Sequence, residues 1–113
     1  MLIQKEKLQV GEILSSCWGY EQTNCDFYQI VKMTDKSIWI QEIWVERTPY
    51  NYMSYEVKPV KDNFKEDSKI IRKTIKDYIK LNDFQYLDHY NEGEVLIESK
   101  YYGSTKYRTD EEE

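Results

Sequence analysis

Two apolar runs separated by a short turn constrain the fold of this chain more than any other feature. Residues 27–33 are aromatic and β-branched, residues 38–45 are rich in isoleucine and tryptophan, and the polar residues 34–37 lie between the two runs. Such runs suit the pleated surface of a sheet, and a short polar break between them is typical of a chain reversal. The segment therefore predicts a β-hairpin.

The second run is apolar on both sides, which is unusual for a surface strand. Alternation along a strand divides these residues between its two faces. One face carries Ile38, Ile40, Glu42 and Trp44, and the other carries Trp39, Gln41, Ile43 and Val45. A strand covered on both faces is typical of a small closed barrel or a sandwich, with one side in the core and the other partly covered by a loop or a partner. The chain also has eleven Tyr and eleven Ile but no Ala, the best helix former.

We therefore predict a mainly β protein, with α+β as the alternative. The expected architecture is a single small domain, built as a strongly bent antiparallel sheet or small barrel with at most one or two short helices. A length of 113 residues is enough for one core but not for two. We expect the β-rich domain to span residues 1–105 and residues 106–113 to form an acidic C-terminal tail.

The remaining segments give weaker patterns. We predict a first strand ending at Trp18, loops at 46–54 and 61–68, an edge strand at 55–60 and a last strand near 95–102. Residues 69–81 fit both a helical stripe and strand alternation. Their isoleucines favour a strand, and a helix is the alternative.

The charge of the chain bears on its partners. The formal net charge is -5 and the pI is about 5.0, the opposite of the basic footprint of most nucleic-acid-binding proteins. An acidic surface more often serves only to keep a protein soluble, but it also suits a partner protein with a positively charged surface. The alternative is a small-barrel nucleic-acid-binding protein that would use exposed tyrosines and the basic residues Lys69, Arg72, Lys73, Lys76 and Lys80.

Residues for catalysis or metal binding are sparse. The one histidine, His89, is far along the chain from Cys17 and Cys25, and no phosphate-binding glycine motif occurs. We predict that the protein is not an enzyme and that its cysteines are two ordinary thiols in a reducing compartment. A less favoured option is a zinc ion held by Cys17, Cys25 and His89, with Asp26 or Asp88 as the fourth ligand.

The chain contains no apolar run of the roughly 18 residues that a membrane span needs, and it does not begin like a signal peptide. We therefore expect a cytoplasmic protein without membrane association.

Residues 18–24, Trp-Gly-Tyr-Glu-Gln-Thr-Asn, have a composition too specific for a generic turn. In one interpretation the aromatics pack and the polar residues form the turn. In the other, aromatic and polar side chains form an anchor patch for a partner, since Trp and Tyr dominate interface hot spots. The contact residues predicted by the second interpretation are Trp18, Tyr20, Glu21, Gln22, Asn24 and Tyr28.

The same stretch carries a resemblance. Gly11-Glu12-Ile13, Ser16, the segment 18–24 and the segment Asp-Phe-Tyr-Gln-Ile-Val at 26–31 resemble a family of small proteins encoded by phages, prophages and plasmids. The similarity is best between residue 11 and about residue 43. Cys17 and Cys25 depart from it, because family members carry small or aliphatic residues at these positions.

The resemblance implies an origin in a mobile genetic element of a bacterial host. Small acidic proteins of such elements are often inhibitors that block host defence nucleases by protein contact, with anti-CRISPR proteins as the leading example. The expected partner is then a host protein such as a CRISPR effector nuclease. The family has no activity to transfer, so no residue acquires a catalytic role from it.

Overall fold

The computed structural model describes residues 2–19 and 22–99. It confirms the predicted fold class, a single mainly β domain formed by a strongly curled antiparallel sheet. The helical structure in the described part is one 3-10 turn, Lys5–Lys7. The expected domain boundary at residue 105 and the acidic tail at 106–113 lie outside the described residues.

Nine strands make up the described part of the chain. They are β1 Ile13–Trp18, β2 Asn24–Met33, β3 Ser37–Asn51, β4 Ser54–Phe64, β5 Ile71–Thr74, β6 Lys80–Asn82, β7 Gln85–Tyr86, β8 Asp88–His89 and β9 Leu96–Ser99. The main sheet has the order β8-β1-β2-β3-β4-β9, β5 pairs with β3, and β6 and β7 form a separate two-stranded sheet.

The long strand β3 organises the sheet because it changes partners along its length. Its first half lies between β2 and β5, where Ile40 pairs with Ile30 on one side and Ile71 on the other. Its second half pairs with β4. A bulge in β2 between Ile30 and Lys32 interrupts the register, and bulges of this kind increase local bend and twist.

Hydrophobic clusters lie on both faces of the sheet, as the apolar pattern of residues 38–45 predicts. The first cluster is covered by the N-terminal segment and by residues near β6–β8, and its buried members are Ile3, Leu8, Leu14, Ile30, Ile38, Ile40, Ile79 and Leu87. The second cluster lies inside the curl and contains Cys25, Phe27, Ile43 and Val57. The side chains at 38 and 40 therefore belong to one core and the side chain at 43 to the other.

Contacts between β9 and the start of β2 close the curl. Thr23 and Ser99 exchange two backbone hydrogen bonds of 3.0 and 3.1 Å. The buried Glu98 carboxylate accepts hydrogen bonds of 2.9 Å from the backbone amide of Cys25 and from Nε of Arg47. A buried carboxylate needs such charge-assisted partners, so Glu98 links β9 to both β2 and β3.

The structure corrects two sequence-based predictions about β3 and β4. The loop predicted at 46–54 is a hairpin in which β3 continues to Asn51 and β4 begins at Ser54. The edge strand predicted at 55–60 pairs with β3, and β9 covers its other side at 54–57. Pro59, which lacks an amide donor, lies just beyond the residues that pair with β9.

The predictions for the later segments have mixed outcomes. Residues 61–64, predicted as part of a loop, belong to β4, and the loop begins only at Lys65. The predicted strand within 69–81 is confirmed by β5, which pairs with β3. The first strand ends at Trp18, as predicted.

The structure also corrects the prediction of two ordinary thiols. Cys17 on β1 and Cys25 on β2 form a disulfide. The register places the two residues directly opposite each other with their Cα atoms 4.0 Å apart, in the closely spaced pair type of an antiparallel ladder. A separation of eight residues does not by itself indicate this register, so the pairing was not evident from sequence.

Candidate functional site

One face of strands β1, β2 and β3 carries acidic and aromatic side chains beside the covered core. The first hydrophobic cluster covers this face around Leu14, Ile30 and Ile40. Further along the same strands the cover ends, and the side chains there are half-buried or exposed. We call this region, together with one side chain from the β6–β7 turn, the acidic aromatic face, and define it as Trp18, Asp26, Tyr28, Glu42, Trp44 and Phe84.

Trp18 and Asp26 form the end of the face nearest the β1–β2 turn. The indole Nε1 of Trp18 donates a hydrogen bond of 2.8 Å to Oδ2 of Asp26. The ring of Phe84 lies 6.2 Å from that of Trp18, centroid to centroid, and Phe84 is 67% exposed. The hydrogen bond and the ring contact together orient the indole and the carboxylate.

Tyr28 lies at the centre of the face between two carboxylates. It is two residues along β2 from Asp26 and directly opposite Glu42 on β3. Burial raises the pKa of the Tyr28 phenol from 10.0 to about 12, and the negative charges of Glu42 and Asp26 add to the effect. The hydroxyl is therefore neutral at physiological pH and remains a hydrogen-bond donor.

Glu42 and Trp44 form the other end of the face, where the protein holds one of its own cations. The ammonium Nζ of Lys65 lies 2.8 Å from Oε2 of Glu42 and 5.0 Å from the centroid of the Trp44 ring. Trp44 is 48% exposed. A carboxylate and an aromatic ring that share one cation combine ion pairing with a cation–π contact.

Asp26 differs from Glu42 in its partners. Within residues 2–19 and 22–99, no lysine, arginine or histidine nitrogen lies within ion-pairing distance of Asp26. Its side-chain hydrogen bonds come from neutral donors, the indole of Trp18 and, more weakly at 3.5 Å, the amide of Gln85. Asp26 is thus a carboxylate fixed beside aromatic rings without a cation from the described chain.

The structure brings together three of the predicted contact residues. Trp18, Asn24 and Tyr28 lie on the same face of β1 and β2, with Trp18 directly opposite Asn24. Gln22 lies in the turn, and its buried Oε1 has no hydrogen-bond partner among the described residues. The other two predicted residues, Tyr20 and Glu21, lie outside the described part of the chain.

Gly19 explains part of the unusual composition of the turn. Its φ is +135°, and a Cβ at this position would lie 1.8 Å from the carbonyl oxygen of Gln22. No side chain fits in that space, so glycine is required where the two arms of the turn approach each other. The segment 18–24 therefore has a structural role, whatever else its aromatic residues do.

Sequence reasoning missed Asp26, Glu42, Trp44 and Phe84 as part of this region. Alternation along β3 already grouped Glu42 with Trp44, but the register that places Glu42 opposite Tyr28 was needed to join them to β2. Phe84 comes from a distant segment without any local signal. Only the three-dimensional arrangement unites these residues.

The candidate zinc ligands are not assembled. Cys17 and Cys25 are joined to each other. His89 lies opposite Leu14 on β1, and its Nε2 accepts a hydrogen bond of 2.9 Å from the backbone amide of Gln4. In the described ranges, no three His, Cys, Asp or Glu side chains converge to hold a metal ion.

A separate cleft of about 480 Å³ lies between the start of β1, the middle of β4 and the turn before β9. Its volume is in the range of small-molecule sites. Its charged lining residues are Glu12, Glu92, Lys58 and Lys61, so opposite charges balance. The cleft does not indicate a particular ligand class.

No helix in residues 2–19 or 22–99 has the length and apolar character needed to cross a membrane. In comparisons with known proteins, no family model, curated protein or solved structure matches this chain.

Proposed function

We propose that this chain is a non-enzymatic binding protein whose acidic aromatic face binds a positively charged surface of a partner protein. The observation that carries the proposal is the Asp26 carboxylate, fixed by Trp18 beside aromatic rings and without a cation from the described chain. Such a carboxylate is available to a cationic group of a partner.

The chemistry of the face favours arginine on the partner. A guanidinium is planar, so it can stack on an indole or phenol ring while donating hydrogen bonds to a carboxylate. Asp26 lies next to Trp18 and Tyr28 and offers both kinds of contact. Within the molecule, Glu42 and Trp44 already hold a cation between a carboxylate and a ring, the ammonium of Lys65.

The composition of the face also suits protein recognition. Aromatic residues and arginine dominate the binding energy of interfaces, and rigid aromatic rings lose little conformational entropy when they are bound. The indole of Trp18 is already oriented by its hydrogen bond to Asp26 and by the ring of Phe84. Preorganisation of this kind lowers the cost of binding.

The resemblance to proteins of mobile elements suggests which partner to test first. CRISPR effector nucleases bind their guide–target heteroduplex in a positively charged channel. An acidic protein that occupies such a channel would act as an anti-CRISPR inhibitor, and opposite charge would speed its association.

The experiment is a binding and cleavage assay with a panel of purified CRISPR effector nucleases, with and without guide RNA. We compare the wild type with the Asp26→Asn/Glu42→Gln double variant. The control is Glu6→Gln/Glu92→Gln, which removes two exposed carboxylates away from the face and matches the change in net charge. We expect inhibition by the wild type and by the control, and binding weakened by about 30-fold in the face variant, as for a hot spot of about 2 kcal/mol.

Two results would count against the proposal. Equal binding by a folded face variant and by the wild type would exclude the acidic aromatic face. Absence of binding to every nuclease tested would exclude that partner class, and affinity capture with the same pair of variants would then identify the basic partner.

A further inference from the structure

We infer that a second surface, near the start of β3 and on the opposite face of that strand, binds single-stranded nucleic acid. The surface is a row of three directly paired residues, Lys32 on β2, Trp39 on β3 and Arg72 on β5. We call this group the cation–indole row. It is distinct from the acidic aromatic face, because alternation along β3 directs Trp39 and Trp44 to opposite sides of the sheet.

The row places an aromatic ring between two cations. Nζ of Lys32 lies 4.7 Å from the centroid of the Trp39 ring, and Cζ of Arg72 lies 5.7 Å from it. Both distances are within the range of cation–π contacts. The indole therefore holds the ammonium and the guanidinium in place, and their side chains lose less entropy when a ligand binds.

The two cations are not neutralised by the described part of the chain. Lys32 and Arg72 are both exposed, and among residues 2–19 and 22–99 neither has a carboxylate within ion-pairing distance. The protein as a whole has a formal charge of -5. The overall charge disfavours nucleic acid, but the local charge of this surface favours an anion.

Neighbouring basic residues extend the positive surface along β5. The segment 69–80 contains a single acid, Asp77, and five basic residues: Lys69, Arg72, Lys73, Lys76 and Lys80. Lys73 lies on the other face of β5 from Arg72, and Lys80 belongs to the separate sheet of β6 and β7, so neither extends the row. Lys69 and Lys76 are exposed on either side of β5. A backbone of phosphates that crosses the row would therefore meet further positive charges.

The half-buried indole favours nucleic acid over an acidic peptide as the ligand. Proteins that bind single strands combine cations for the phosphates with aromatic rings on which bases stack. Trp39 is the only described aromatic residue with a cation on each neighbouring strand beside its ring. A base can replace one of these cations on the indole while that cation turns to a phosphate.

The test uses fluorescein-labelled single strands of about twelve nucleotides, in DNA and RNA versions, and a duplex of the same length. Fluorescence anisotropy is measured against protein concentration at several salt concentrations. The variants are Trp39→Ala, Lys32→Ala/Arg72→Ala and the control Lys7→Ala/Lys58→Ala, which removes two exposed lysines outside the row. An oligoglutamate peptide serves as competitor.

We expect the wild type and the control to bind single strands more tightly than the duplex. Trp39→Ala should weaken binding at least about tenfold through the loss of stacking. The double cation variant should lower the slope of log affinity against log salt by about 1.4, the value for two phosphate contacts on a single strand. Because its two side chains are exposed, this variant is expected to fold even if Trp39→Ala does not.

Three results would overturn the inference. The first is absence of salt-dependent binding by the wild type, and the second is an unchanged salt slope in the double cation variant. The third is displacement of the strand by oligoglutamate together with wild-type affinity for single strands in a folded Trp39→Ala variant. The last result would assign the row to acidic peptides. None of these results bears on the acidic aromatic face, which is tested with its own variants.

Discussion

The indole nitrogen of Trp18 donates a 2.8 Å hydrogen bond to the carboxylate of Asp26 on the neighbouring strand. The bond links the first residue of the Trp-Gly-Tyr-Glu-Gln-Thr-Asn segment to the strand that follows it. It directs a negative charge to the edge of an exposed aromatic surface, and it satisfies the one polar group of the indole. Trp18 therefore positions the Asp26 carboxylate within the proposed binding face.

Substitutions of Trp18 should separate the hydrogen bond from the ring. Trp18→Phe keeps an aromatic ring beside Phe84 but removes the donor to Asp26, whereas Trp18→Ala removes both. If orientation of the carboxylate matters, Trp18→Phe should weaken partner binding about tenfold, as expected for a lost charge-assisted hydrogen bond. Trp18→Ala should weaken binding further.

The matched control for these variants is Tyr52→Ala, which removes an aromatic side chain that is 79% exposed at the β3–β4 turn. Thermal unfolding of each variant separates loss of binding from loss of folding. Wild-type affinity in Trp18→Phe would show that the hydrogen bond contributes nothing to recognition.

Tyr28 should make the stability of the protein depend on alkaline pH. Its pKa is about 12 in the folded protein and 10.0 when unperturbed. The unfolded chain therefore loses this proton first, and the folded state loses stability as the pH rises from about 10 to about 12. Below pH 10 the contribution is fully present.

The measurement is urea unfolding between pH 8 and pH 12, compared with the Tyr28→Phe variant, which cannot ionise at this position. We expect a smaller alkaline loss of stability in the variant. The remaining tyrosines, including Tyr90 with its raised pKa, contribute equally to both proteins. Identical pH profiles would show that Tyr28 titrates normally.

The Cys17–Cys25 disulfide should stabilise the β1–β2 hairpin. For a separation of eight residues, the loop-entropy relation gives a stabilisation of about 2.5 kcal/mol. We expect a reducing agent to lower the free energy of unfolding of the wild type by about this amount. The same reagent should have no effect on a Cys17→Ala/Cys25→Ala variant, and alkylation should label no cysteine before reduction.

Arg47 should be more important for stability than its exposure suggests, because it partners the buried Glu98. Arg47→Met removes a positive partner of the buried Glu98 carboxylate where β9 meets β2 and β3. We expect the free energy of unfolding to fall by about 2 kcal/mol. The comparison is Lys5→Met, which breaks the exposed pair of Lys5 and Asp35 and should change stability little. Equal effects of the two substitutions in urea unfolding would contradict a role for Glu98 in closing the sheet.

The sequence predicted the hairpin of β2 and β3 because its residues are apolar and β-branched on both faces. It did not predict the outer hairpin of β3 and β4. Residues 46–51 are all exposed, so no buried face imposes an alternating pattern on them. Their pairing depends on the neighbouring strand and not on a hydrophobic signal.

The closure of the sheet and most of the acidic aromatic face were also beyond sequence reasoning. The hydrogen bond from the backbone amide of Cys25 to the Glu98 carboxylate joins residues 73 positions apart. Contacts between such distant residues leave no signal in the local periodicity of the sequence. Trp18 and Tyr28 could be proposed from composition and from strand alternation. The position of Glu42 opposite Tyr28 depends on the register of β2 and β3. The contact of Trp18 with Phe84 depends on the path of a turn that is distant in sequence.

The most direct test of the acidic aromatic face as a binding site is its affinity for an arginine-rich peptide, measured by tryptophan fluorescence and by calorimetry. It compares the wild type, Asp26→Asn/Glu42→Gln and the charge-matched control Glu6→Gln/Glu92→Gln, whose two carboxylates are exposed and lie away from the face. We predict similar affinity for the wild type and the control, and an affinity at least about tenfold lower for the face variant. Equal weakening in both double variants would mean that net charge alone attracts the peptide, and would contradict a specific site at Asp26 and Glu42.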